Sequence, residues 1–172
     1  LRKKMLDKQD GSKRGGVHAG TKADEENKLI QRAMDDPELK AIRERGGAKM
    51  LPATSKGVKA LYKGFLANEN LLVASDLVPH DRGVYETFFN KECYCIDLIE
   101  KLSQKKTHDL YFVYLTKGKT NKYEFISKKI ESPITTKQMN QHFEEAINSA
   151  PEIYGWEYKK FRKLKPNNFN IY

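Results

Sequence analysis

The chain has 172 residues, of which 38% are hydrophobic and 32% charged, with a formal net charge of +9. That length supports one domain with an extension. The longest apolar run, Leu110–Leu115, is strand-sized and far short of the ~20 residues of a membrane-spanning helix, so no membrane partner is expected. The two cysteines, Cys93 and Cys95, exclude a disulfide framework and favour a reducing compartment. The four scattered histidines match no zinc spacing, and neither a metal nor another cofactor is expected.

Charge divides the chain. Leu1–Gly64 holds 16 Lys/Arg against 9 Asp/Glu, and Phe65–Tyr172 holds 16 against 14. Residues 1–53 therefore read as a basic, largely extended arm with short helices, and 54–172 as a compact α/β domain. No apolar segment follows Leu1-Arg-Lys-Lys, so no secretory signal is visible, although the missing initiator Met leaves a processed presequence open. The expected location is intracellular or inside a virion particle.

In chain order, residues 1–23 place Lys3, Lys4, Lys13 and Arg14 among glycines, which suits close backbone approach to phosphates. Two short helices are predicted at about 25–34 and 37–44, with Pro37 at a helix start. Gly46-Gly47 stops the second, and a linker follows. Val58, Leu61, Tyr62 and Phe65 recur at helical spacing behind Ser55 as cap. Leu71–Ser75 reads as a short buried strand, and Val78–Gly83 as a loop. Tyr85, Phe88, Phe89, Ile96, Ile99 and Leu102 then mark one face of a long predicted helix.

Asp109–Thr116 is predicted as a strand with apolar residues on both faces, hence central. Lys117–Asn121 is its turn and Lys122–Ile130 the return strand. Thr135-Thr-Lys-Gln138 is a capping box opening a helix with Met139, Phe143, Ala146, Ile147 and Ala150 on one face. Gly155–Leu164 reads as a last strand. The resulting order, one helix and then β-α-β-β-α-β, is that of a ferredoxin-like α+β domain.

Three constellations bear on function. The last predicted strand crowds Lys159, Lys160, Arg162 and Lys163 among Trp156, Tyr158 and Phe161. Rings for stacking beside cations for phosphates are the chemistry of a nucleic-acid-binding sheet. Lys117 and Lys119 would add a basic hairpin tip. Gly118-Lys119-Thr120 lacks the upstream glycine and following helix of a phosphate-binding loop. Finally, Asp76, Asp109 and Glu124, with Lys128, would serve a metal-dependent nuclease if brought to one end of a sheet. The expectation from sequence is a non-enzymatic nucleic-acid-associated component of a ribosome-like or virion DNA-handling particle. It would bind DNA or RNA backbone, and other proteins of the assembly, without sequence preference. A nuclease and a protein-assembly adaptor are the alternatives.

Overall fold

The computed structural model describes residues 36–172, apart from 53, 80, 81, 106, 107, 119, 121 and 167–169. The predicted helix at 25–34 and the cations Lys3, Lys4, Lys13, Arg14 and Lys119 lie outside the described residues. Two compact units divide the chain, Leu1–Lys63 and Gly64–Tyr172.

Helix α1 (Pro37–Glu44) begins where the sequence places it. The Asp36 carboxylate accepts from the Glu38 and Leu39 amides, and Pro37 occupies the first turn, where no amide is needed. Leu39 and Ile42 remain exposed, so this helix buries no residue. Helix α2 (Ser55–Leu66) likewise follows its predicted spacing.

The Gly64–Tyr172 unit is mixed α+β. Strands β1 (Val84–Phe88) and β2 (Lys91–Cys95) pair antiparallel from Val84↔Cys95 to Phe88↔Lys91. Helix α3 (Leu98–Ser103) follows. Strands β3 (Leu110–Lys117) and β4 (Tyr123–Ile130) form a second hairpin, from Leu110↔Ile130 to Lys117↔Tyr123. Helix α4 (Thr136–Ser149) is next, and three short 3-10 turns close the chain at Pro151–Ile153, Trp156–Tyr158 and Lys160–Arg162. The ferredoxin-like order needs four strands in one sheet. Among the described residues the four strands instead make two separate two-stranded sheets.

Three predicted elements take another form. The long helix over 85–102 is a hairpin followed by a short helix. Phe89 and Asn90 both adopt positive φ, 46° and 58°, which is the geometry of a two-residue type I′ turn and breaks any helix there. The flanking residues are strand formers, and their alternation places Phe88, Cys93 and Cys95, each at 0% exposure, on one face. Leu71–Ser75 pairs with no strand, and Leu72 is exposed. Gly155–Leu164 does not extend as a strand, because 3-10 turns and the left-handed Lys159 (φ 50°, ψ 57°) fold it back repeatedly.

Helix α4 organises the unit. Its capping box is present: the Thr135 hydroxyl accepts from the Gln138 amide, and the Gln138 side chain accepts from the Thr135 amide at 2.9 Å. The Glu100 carboxylate of α3 accepts from both the amide and hydroxyl of Thr136, at 2.8 and 2.7 Å, tying α3 to the start of α4. One stretch of α4 meets the second hairpin, packing Met139, Phe143 and Ala146 with Phe112, Ile130 and Ile134. Another meets the first hairpin. Asn140, 2% exposed, donates to the Thr87 carbonyl, and Glu144 accepts from the Phe89 amide, both at 2.8 Å. Ile147 joins Phe88, Cys93, Cys95 and Leu164 in that core.

Candidate functional site

Among the described residues, polar side chains converge where the closing segment 154–165 meets the first hairpin and residues 75–79. Leu164, buried, bridges Cys93. The Tyr94 amide donates to the Lys163 carbonyl and the Lys165 amide to the Glu92 carbonyl, each at 3.0 Å, so the segment is tied to β2 at a single antiparallel bridge. Its cations turn inward. Arg162 donates to the Val78 carbonyl and Lys163 to the Pro79 carbonyl, each at 3.1 Å. The Lys163 and Lys165 ammonium groups lie over the Tyr94 and Tyr85 rings, each 5.0 Å from the centroid. Gly83 is tightly fitted against β2: a Cβ there would come 2.4 Å from the Cys95 carbonyl oxygen.

Lys160 differs from its neighbours. The left-handed turn at Lys159 directs it inward, where it is 2% exposed and its ammonium lies 5.3 Å from the Phe88 ring centroid. Among the described residues its Nζ has no hydrogen-bond partner. Nearby, burial and then the Asp76 carboxylate, which also hydrogen-bonds it, push the Tyr154 hydroxyl well above the usual phenol range. Burial and then Cys95 push the Cys93 thiol up to about 12, with the Lys160 charge acting the other way.

That thiol gives a pH prediction. A raised folded-state pKa means the unfolded chain loses this proton first. The associated stability is present below the ordinary thiol value of 9.0 and is lost as pH rises from there toward about 12. At pH 8 a disulfide reagent is expected to leave Cys93 and Cys95 unmodified in the folded chain and to titrate both in urea. Rapid labelling without denaturant would contradict the buried placement.

The carboxylates proposed for metal binding are not brought together. Asp109 pairs with Lys129 at 2.6 Å just before β3, whereas Glu124 stands opposite Thr116 near the far end of that strand. The separation along β3 is about 20 Å. Lys128 faces Glu145 of α4 at 3.7 Å, and Asp76 lies in the unit's other hairpin region beside Tyr154. Among the described residues no group of three His, Cys, Asp or Glu could hold a metal ion. Lys117 is exposed at the end of β3. Lys159, Lys160, Arg162 and Lys163 do not share a strand face, and the inward contacts of three of them were invisible in the sequence pattern.

The family model for bacterial lipid A biosynthesis acyltransferases matches residues 16–163, most of the chain. The chain belongs to this family. No curated protein matches it.

Membership corrects the functional expectation. This is a family of acyl-transferring enzymes in lipid A biosynthesis, which overturns the non-enzymatic nucleoprotein component together with its nuclease and adaptor alternatives. Nucleic acid and a ribosome-like or virion assembly fall as partners for the same reason. The physical source of the error is plain. Excess positive charge favours any large or clustered anion, and composition does not distinguish a nucleic-acid backbone from a charged lipid. The expectation of no membrane partner also yields to a family whose substrates are lipids and acyl groups. Among the described residues no helix is long and apolar enough to cross a membrane.

Proposed function

We propose that this chain acts in the transfer of an acyl group to a lipid acceptor in lipid A biosynthesis, and that the junction of residues 75–79, the first hairpin and segment 154–165 binds an oxygen of the reacting lipid. The family match over residues 16–163 carries the reaction class. Lys160, buried and without a hydrogen-bond partner among the described residues, supports the location. In acyl transfer negative charge develops on the carbonyl oxygen, and a donor fixed in a water-poor site stabilises it far better than one in solvent. Lys160 is such a donor. Arg162 and Lys163 act on the site from beside it, by fixing the loop through its carbonyls. Asp76 and Tyr154 supply a hydrogen-bonded polar pair in the same region.

The test combines binding and turnover. Purified chain is incubated with a radiolabelled acyl thioester and a lipid A precursor in detergent micelles. Label transferred to the lipid, together with retention of the precursor on immobilised chain, is the expected result. No transfer and no retention would overturn the proposal.

A further inference from the structure

Among the described residues strand β3 is an edge strand: no other strand pairs with its side away from β4. The Gly118 amide donates to the Lys122 carbonyl in the same register as the Lys117↔Tyr123 pair. Even-numbered β3 residues therefore exchange bonds with β4, and Tyr111, Val113 and Leu115 turn their N–H and C=O groups to the open edge. None of these outward groups has a backbone partner among the described residues. The turn Pro151–Ile153 approaches β3 but makes no backbone hydrogen bond to it. From Leu110 to Thr116 the strand holds no charge, proline or glycine, whereas β4 carries Glu124, Lys128 and Lys129. Such an edge recruits another strand. A lipid surface would leave the outward amides unsatisfied.

The ends of β3 select the occupant. Asp109 precedes the strand and Lys117 closes it, so the edge carries opposite charges at its two ends. We propose that two copies of this chain pair antiparallel through β3 about a two-fold axis at Val113, joining the two β3–β4 hairpins into one four-stranded sheet. In this register Val113 meets the partner's Val113, Tyr111 meets the partner's Leu115, and Asp109 meets the partner's Lys117 at both ends. Tyr111 and Leu115, 53% and 55% exposed, become cross-strand neighbours. One Asp109 oxygen already pairs with Lys129, and the other is available to the partner's Lys117. Exposed ion pairs contribute little energy, so the charges choose the register while the backbone supplies the bonds. The contact is isologous and closes at two copies.

Charge exchange tests this directly. Sedimentation equilibrium of the full chain is expected to show a dimer that forms in the micromolar range. D109K and K117E are each expected to weaken self-association roughly tenfold or more, because each places like charges opposite at both ends. An equal mixture of the two variants restores opposite charges at both ends and is expected to recover association to within about threefold of the original chain. Val113→Pro removes an outward amide but no bond to β4, and is expected to abolish the dimer with the far-ultraviolet spectrum unchanged. A chain that stays monomeric through the high micromolar range would overturn the proposal. So would variants that associate like the original, or a mixture that does no better than its components.

Discussion

Phe88→Ala is expected to destabilise the Gly64–Tyr172 unit by about 3–5 kcal/mol, seen as a lowered urea midpoint with little change in slope. The residue is the only large aromatic ring at 0% exposure among the described residues, and it sits where β1, α4 and the closing segment meet. Phe89 packs edge-on to it at 4.9 Å and Phe161 tilts against it at 5.8 Å. Its own carbonyl lies 3.9 Å from the Cys93 sulfur. Truncation removes both ring contacts, leaves the carbonyl in place, and opens a cavity bounded by a hairpin and a helix, neither of which can collapse freely. It also strips the ring from the Lys160 ammonium. Domains of this size hold only about 5–15 kcal/mol in total, so the variant should sit close to its unfolding transition. Phe125→Ala provides the contrast. That ring is 67% exposed on the outer face of β4, and its loss should change stability by no more than about 0.5 kcal/mol. Equal losses for the two variants would contradict this description of the core.

How much of this fold the sequence discloses depends on whether a segment carries a signal beyond hydrophobic spacing. Helix α4 has both a clean apolar face and the Thr135/Gln138 box, and both appear in the structure. The β3–β4 hairpin has two runs rich in aromatic and aliphatic strand formers around a glycine-containing turn. The segment 84–95 has only spacing. Its apolar positions satisfy a helical template, and the decisive information is the pair Phe89-Asn90 at positive φ, where a phenylalanine is an unusual occupant. Glu144, distant in sequence, holds that turn through the Phe89 amide, and a local pattern contains nothing of such a contact. Segment 155–164 misleads for a related reason. Its alternating aromatics and cations imitate a strand, yet Arg162 and Lys163 serve as ties to loop carbonyls. Asn140, set within an apolar helix face, was the available sign that α4 meets backbone there. Function was less legible still, because a count of cations reports a preference for anions and says nothing about which chemistry is performed on them.

Lys160→Met separates stability from function at the proposed site, and the two effects are expected to have opposite signs. A buried donor without an acceptor costs about 1–3 kcal/mol. Lys160 is such a donor, being 2% exposed with its Nζ unbonded among the described residues. Methionine keeps an unbranched stem of similar reach, packs favourably against an aromatic ring and carries no group that needs a partner. The variant should therefore unfold at higher urea, by an amount corresponding to about 1–3 kcal/mol. If Lys160 donates to an oxygen of the reacting lipid, the same change should lower acyl transfer by roughly a hundredfold, through kcat rather than KM. A gain in stability with transfer unchanged would remove Lys160 from the site. A loss of stability would show that the side chain's contact with the Phe88 face outweighs the missing hydrogen bond. A buried cation that weakens the fold and strengthens the reaction is the expected signature of a residue placed for its ligand, since a binding group must meet substrate with a donor not already spent on the protein.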